Sequence, residues 1–504
     1  MLTTTDPRTG QTTDTGIAPT TDAEVAERVG AALAAFRAAR TRPRAWRAGL
    51  LRALADGLDA RRGELVATAQ GETGLSEARL DGELTRSAVQ LRMFADAVEE
   101  GSYLEATIDH AAATPMGPGP DIRRMLVPLG PVAVFGSSNF PFAFSVPGGD
   151  TASALAGGNS VVLKAHGSHP LTSRLSFAAL DDAARAYGAP AGLIGIVYGQ
   201  PAGAALVADP RITAVGFTGS LATGRILLDI IERRERPIPF YGELSSLNPL
   251  VVTGGAVAAR ADAIAEGLFT SVSGSAGQLC TKPGIAFLPA GAEGDALVEA
   301  LVERARTAAP QPLLNRRIHE AFSSIHAGLL AAGARELAAP SAAEAGFGTS
   351  PAVLEIEAER VTAEIAEEAF GPLVVLVRYR GLDEIAAALE VIPDSLTATI
   401  HAEDDEAETT SLLGELVRDR VGRIVYNGYP TGVRVSWAQH HGGPWPATNT
   451  LHTSVGMTAI RRFLRPLAWQ NAPQAELPDE LRDGVASVPR RVDGVLTLAP
   501  TLGG

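Results

Sequence analysis

Short apolar runs alternate with helical patterns along most of the chain, and this alternation limits the fold more than any other feature. Val132–Phe135, Val161–Leu163, Ile194–Val197 and Thr213–Phe217 read as buried strands, with helical stretches such as Ser173–Tyr187 between them. The pattern pauses at Val251-Val252-Thr253-Gly254-Gly255. It resumes with Ile285–Leu288, Leu373–Val377, Thr397–Ile400 and Ile424–Tyr426. Strands that are apolar throughout and alternate with helices imply parallel sheets covered on both faces. An α/β fold in two such units follows, divided near residue 250. A chain of 504 residues gives each unit ample core.

The flanking segments are simpler. Residues 1 to about 20, dominated by Thr, Asp, Gly and Pro, read as disordered or strand-like at best. Thr21-Asp22-Ala23-Glu24 has the spacing of a capping box, and Val25, Val29, Leu33 and Phe36 follow at helical spacing. Helices carrying Trp46, Leu50, Leu54 and Leu58, then Leu84, Leu91, Phe94 and Val98, read as packing elements. Pro115–Pro120 reads as a linker into an extended edge segment at 123–128. Leu464–Trp469 reads as an arm able to pair with a strand of another subunit.

Charge and cysteine usage remove several function classes. A net charge of −14 argues against nucleic-acid or anionic-membrane partners, which want a basic face. A single cysteine excludes an intrachain disulfide framework and a cysteine-based zinc site, and no metal is expected. A reducing, cytoplasmic setting fits. The N-terminus lacks the apolar core of a signal peptide, and no apolar run is long enough to span a bilayer.

That cysteine, Cys280, lies in Gly274-Ser275-Ala276-Gly277-Gln278-Leu279-Cys280-Thr281-Lys282-Pro283-Gly284. Glycines in the turn would let a ligand approach the thiol closely. The thiol is either a nucleophile or a small buried hydrophobe. Three other segments carry similar pairs of readings. Phe217-Thr218-Gly219-Ser220-Leu221-Ala222-Thr223-Gly224 follows a strand and opens a helix. Its glycines either admit a phosphate to the helix N-terminus or serve packing. Glu243, in an apolar surround, is either a general base with a pKa raised by burial or a solvated turn carboxylate. Asn139, in Ser137-Ser138-Asn139-Phe140-Pro141 after a strand, either donates to a developing oxyanion or makes an ordinary turn.

The order and separation of Asn139, Lys164, Gly219/Gly224, Glu243, Cys280 and Glu368-Ala369-Phe370-Gly371-Pro372 resemble the NAD(P)-dependent aldehyde dehydrogenase superfamily across nearly the whole chain. The resemblance implies a Rossmann-like cofactor domain (1–116 and 130–250), a catalytic α/β domain (251–462) and a small β oligomerisation arm with tail (117–129 and 463–504). It implies Cys280 as nucleophile, Asn139 as oxyanion donor and Glu243 as the base that activates water. It places Lys164, Gly219, Ser220, Gly224, Glu368 and Phe370 at the cofactor, and a homodimer or homotetramer as the assembly. The segments S-S-N-F-P, S-S-L-N-P, C-T-K-P-G, N-G-Y-P-T-G-V and H-G-G-P-W-P-A-T are similar to the α-ketoglutaric semialdehyde dehydrogenase branch.

Gly167 stands where an NAD-preferring member has a Glu for the ribose 2′-OH. With Lys164 and His166 beside it, NADP+ is expected to serve at least as well as NAD+; His166 is otherwise a solvated loop histidine. Arg434 stands where the branch pattern carries an acidic residue. It is a candidate for a substrate carboxylate, and Trp437 and His441 are candidates to line the substrate pocket. A fatty or specialised-metabolite aldehyde, a CoA-acylating reaction and a non-catalytic cofactor-binding relative are the alternatives. The presence of Glu243 argues against the CoA reaction, which needs no water-activating base.

Overall fold

A computed structural model describes residues 1–485 and 487–498. The strand–helix alternation gives two principal sheets, and the flanking segments add a third. In the first, five parallel strands run in the spatial order Phe240–Glu243, Ala214–Thr218, Pro131–Phe135, Ser160–Lys164 and Ile194–Val197. The chain starts in the middle strand, fills one side, then crosses to the other. The second sheet has seven strands, from Arg335–Ala338 at one edge through Leu250–Val252 to Val421–Tyr426 at the other. Only the Arg335–Ala338 edge strand is antiparallel to its neighbour. Leu373–Tyr379 and Ser395–His401 are buried at every position. Helices cover both of their faces, which is why Leu373–Val377 reads as an unbroken apolar run, while the Ser, Thr and His side chains of Ser395–His401 are buried among them.

The capping box is formed. Thr21 accepts from the Glu24 N–H, and the Glu24 side chain accepts from the Thr21 N–H at 2.8 Å. Two expectations change, and the expected arm forms. The first residues are ordered as an antiparallel pair, Thr3–Thr5 with Thr12–Asp14. Pro115–Pro120 is not a plain linker but turns the exposed hairpin Ala112–Thr114/Gly117–Gly119. Leu464–Gln470 pairs antiparallel with Ile122–Pro128 of its own chain. These two strands join Ala106–Asp109, Arg490–Val492 and Val495–Thr497 in the third sheet, with Leu464–Gln470 at its edge. No helix among the described residues is long and apolar enough to cross a membrane.

One buried group sets an acid limit on the fold. Burial, then the Arg260 charge, pull the pKa of His401 down from 6.5 to about 4. The unfolded chain gains this proton near its ordinary pKa, whereas the folded chain resists it until about pH 4. Stability is therefore full above pH 6.5 and falls as the pH drops through that window, by about 3 kcal/mol for this group. Denaturant titrations should show His401→Asn losing less stability than the parent between pH 7 and 4.5. Parallel losses in the two proteins would contradict this.

Candidate active site

Parallel pairing brings strand ends level. Thr218 stands opposite Glu243, Phe217 opposite Phe135, and Phe135 opposite Lys164. The loops after Pro131–Phe135 and Ala214–Thr218 leave where the strand order reverses, the place where open α/β sheets bind ligands. A cavity of about 1290 Å³ opens there, lined among others by Asn139, Lys164, Ser220, Glu243, Cys280 and Glu368.

The cysteine turn is held by backbone geometry. Ser275, Ala276 and Gly277 are left-handed, with φ of 51°, 54° and 67°. A Cβ on Gly277 would lie 2.3 Å from the Gly371 backbone, so only glycine admits this approach. The contact ties the cysteine turn to the Glu368–Pro372 segment. Asn248 Nδ2 donates to the carbonyls of Cys280 at 2.9 Å and Lys282 at 3.0 Å. Buried Lys282 donates from Nζ to the carbonyls of Ala369 at 3.0 Å and Leu373 at 2.9 Å. Neither support has a local signal in the sequence, although Asn248 and Lys282 stand in the S-S-L-N-P and C-T-K-P-G segments. Asn139 Nδ2 donates to the Gln278 carbonyl at 2.9 Å, which fixes the amide beside the same turn.

Glu243 ends its strand and is 3% exposed. Ser454 Oγ donates to Oε2 at 2.9 Å. His441 Nε2 lies 3.1 Å from Oε1 and 3.6 Å from Cys280 Sγ. One side-chain atom from each of Glu243, Cys280 and His441 falls within 4.8 Å of the other two. Burial alone pushes the Glu243 pKa up, as the sequence reading supposed. The His441 charge and hydrogen bonds from His441, Ser454 and Cys280 outweigh it, and the net shift is downward. Glu243 is therefore an anion rather than a carboxyl raised toward neutrality, which corrects the expectation. Burial and then the Glu243 charge push the Cys280 thiol well above its ordinary value. His441, grouped by sequence with substrate contacts, instead touches both Cys280 and Glu243.

The cavity's other end suits a dinucleotide. Lys164 is desolvated, which lowers its pKa, and no carboxylate pairs with it among the described residues. Gly167 lines the cavity, and a Cβ there would meet nothing within 4 Å. Ser220 caps the helix Leu221–Glu232 by accepting from Thr223. Glu368 lines the wall with Phe370 and accepts from the Ser246 N–H at 3.1 Å. Burial raises its pKa, and the Lys282 charge opposes that.

Two assignments on this side need correcting. Gly224 does not line the cavity, and a Cβ there would lie 2.5 Å from Leu244, so it is a packing glycine. Burial, with the charges of His169, Lys164 and Arg317, holds the His166 pKa well below its ordinary value. A neutral His166 offers no charge to a phosphate. Arg317, which lines the cavity nearby, supplies a cation that the sequence reading did not identify.

On the substrate side, Arg434 and Trp437 are exposed and do not line the cavity. Arg86, from the helix Glu77–Glu100, was not anticipated. Its guanidinium lies over the Phe144 ring at 5.0 Å, and its Nε and Nη2 are buried without a hydrogen-bond partner. Burial lowers its pKa, while the charges of Glu83, Cys280 and Glu243 hold it up. Helical periodicity marks position 86 only as one more turn of a packing helix.

The chain is similar to known proteins along nearly its whole length. The chain is 42% identical over 501 residues to an alpha-ketoglutaric semialdehyde dehydrogenase 2 of Azospirillum brasilense, covering 97% of this chain and 95% of that one. It superposes with a TM-score of 0.79 and 23% identity on a 1-pyrroline-5-carboxylate dehydrogenase from Thermus with bound NAD, covering 93% and 89% of the two chains. It also superposes on the proline utilization A protein of Bradyrhizobium japonicum, at a TM-score of 0.77 and 26% identity. There 90% of this chain is covered, but the chain spans only 45% of that larger protein. The profile of the aldehyde dehydrogenase family matches residues 1–444. With its cysteine, glutamate and asparagine gathered at one end of a cofactor-sized cavity, the chain belongs to the aldehyde dehydrogenase family.

Proposed function

We propose that the protein oxidises a semialdehyde of the α-ketoglutaric type to the dicarboxylate, with NADP+ serving at least as well as NAD+. The observation that carries this reading is the meeting of Cys280, Glu243 and Asn139 at the inner end of the cavity. In this reading the Cys280 sulfur attacks the aldehyde carbon. A C–S bond forms, and the carbonyl π pair moves to oxygen. Asn139 Nδ2 and the Cys280 backbone N–H donate to that oxygen, and one such donor is worth about 3–4 kcal/mol of barrier. Bound against Glu368 and Phe370, a nicotinamide would supply the hydride acceptor that takes the Cys280 adduct to a thioester. Glu243 takes a proton from water, whose oxygen attacks the thioester, and the C–S bond breaks to release the acid. Lys164 and Ser220 would hold the ribose and pyrophosphate, and Glu368 and Phe370 the nicotinamide end. The five-stranded unit thus reads as the cofactor domain and residues 251–462 as the catalytic domain. The Leu464–Gln470 sheet edge is the surface proposed to join subunits of a homodimer or homotetramer.

Two features support the finer parts of the reading. Arg86 is a buried cation with free donors beside the Cys280 end, which suits a substrate that carries its own carboxylate. Arg86→Met should raise KM for an anionic semialdehyde about 100-fold, near 3 kcal/mol, while changing a neutral aldehyde such as propanal only a few-fold. Equal losses for both would remove Arg86 from substrate binding. On the cofactor side, open space at Gly167 and the cations Lys164 and Arg317 suit a ribose 2′-phosphate. Arg317→Ala should lower kcat/KM for NADP+ about tenfold more than for NAD+. A parent preference for NAD+ beyond about tenfold would contradict the cofactor assignment. The overall reading is tested by reduced-nicotinamide absorbance over a panel of aldehydes, with each cofactor and with or without CoA.

A further inference from the structure

Cys280 is poorly placed to ionise on its own. It is half-buried, and the carboxylate of Glu243 is among its nearest neighbours. An isolated thiolate there would set two anions side by side away from bulk water, and burial with the Glu243 charge opposes it. Yet the thiolate, not the thiol, is the form that attacks a carbonyl. The other groups facing Cys280 are two cations, Arg86 on the helix Glu77–Glu100 and Arg423 on the strand Val421–Tyr426, and one further acid, Glu368. Neither arginine hydrogen-bonds the sulfur.

His441 resolves this conflict geometrically. Its Nε2 lies 3.6 Å from Sγ and 3.1 Å from Glu243 Oε1. Nε2 thus stands between the Cys280 thiol and the Glu243 carboxylate, within reach of both. The His441 backbone is held on both sides, while its ring Nδ1 is buried without a hydrogen-bond partner. The His441 N–H donates to Thr453 Oγ1 at 2.8 Å, and its carbonyl accepts from the Ser454 N–H at 2.9 Å. Ser454 Oγ also donates to Glu243, so one residue positions both partners. His440 is the titratable group next to His441 in the chain, and burial, then the His441 charge, lower its pKa.

We propose that His441 takes the Cys280 thiol proton onto Nε2 and holds the resulting thiolate as an ion pair, with the Glu243 carboxylate on the other side of the same proton. The S–H electron pair stays on sulfur. The cluster carries one net negative charge before the transfer (neutral thiol, neutral imidazole, carboxylate) and the same charge after it (thiolate, imidazolium, carboxylate). The nucleophile forms without importing charge into the buried site. His441 keeps this proton while the acyl group is on sulfur, and Glu243 remains free to receive the proton of the hydrolytic water. The proposal rests on Cys280 as the nucleophile of the reading above but not on which aldehyde it attacks.

Cys280 is the only cysteine, so alkylation by iodoacetamide reports its thiolate alone and needs neither aldehyde nor cofactor. In the parent enzyme the alkylation rate should stay nearly flat from about pH 6.5 to 8, because the thiolate is already formed inside the pair. In His441→Asn and His441→Gln the rate at pH 7 should fall roughly 100-fold and then climb about tenfold per pH unit to beyond pH 9. Thermal unfolding and NADPH binding, measured by fluorescence, should stay within error. If His441 merely shapes the cavity, the variants will change KM but keep the parent's alkylation profile, and the proposal is overturned. A parent profile that titrates in one step above pH 9 overturns it without any variant, so poor folding of the substitutions does not protect it. An aldehyde panel with no active member, beside a flat parent alkylation profile, would sink the substrate reading and leave this pairing intact.

Discussion

Cys280→Ala is expected to abolish aldehyde-dependent NADPH formation, lowering kcat by roughly 10⁴-fold or more. Alanine fills the same turn without sulfur, and the turn does not depend on the thiol for its shape. Its geometry comes from the left-handed run Ser275–Gly277, the close approach to Gly371 and the Asn248 bonds to the Cys280 and Lys282 carbonyls. NADPH should therefore bind the variant as it binds the parent, and the unfolding temperature should move little. Steady-state absorbance with the preferred semialdehyde checks the first statement, and fluorescence titration of NADPH checks the second. Retention of even a tenth of the parent kcat would mean that hydride leaves a species not attached to Cys280.

Glu243→Gln is expected to separate the two halves of the reaction. Acylation does not need the carboxylate as a base for water, so the first turnover should survive and appear as a burst of NADPH equal to the enzyme concentration. Hydrolysis does need it, and steady-state kcat should fall by about 10²–10⁴-fold, the range for loss of a general base. The amide keeps the shape of the carboxyl and an oxygen for the Ser454 hydroxyl, so the cavity wall is preserved. The pH dependence has a defined sign. Because His441 and its hydrogen-bonded neighbours hold the Glu243 pKa below its ordinary value, the parent deacylation rate should stay constant from neutral pH down through the ordinary range of a carboxyl and fall only below it. Loss of rate on acidification just below neutrality would point to a different base.

The α/β architecture was legible because the strands at the centre of both principal sheets are buried on both faces. Val132–Phe135 and Leu373–Val377 leave no polar position for an alternative reading. Cys280, Asn139 and Glu243 were legible as a set through their order, though each had an equally ordinary local reading. What escaped the sequence depends on long-range closure. Arg86 sits on a helix whose pattern speaks only of packing, and the Phe144 ring that it covers is 58 residues away in the chain. The separation of His441 from Cys280 is 161 residues, and no local signal distinguishes a histidine that lines a pocket from one that touches a thiol. The direction of the Glu243 pKa was misjudged for the same reason. Burial could be inferred from neighbouring residues, but its histidine partner could not. Gly224 failed differently: a strand–helix glycine serves phosphate or packing equally well until the side chain opposite, here Leu244, is known.

The central claim is that the substrate carbon is oxidised while attached to Cys280. Its most direct test is a rapid quench of Glu243→Gln mixed with NADP+ and α-ketoglutaric semialdehyde, followed by mass spectrometry of the peptide that carries Cys280. The account predicts an acyl adduct on Cys280 in amount equal to the NADPH released in the burst, and its absence when NADP+ is omitted. A full burst of NADPH with Cys280 unmodified, or with the acyl group on another residue, would contradict it.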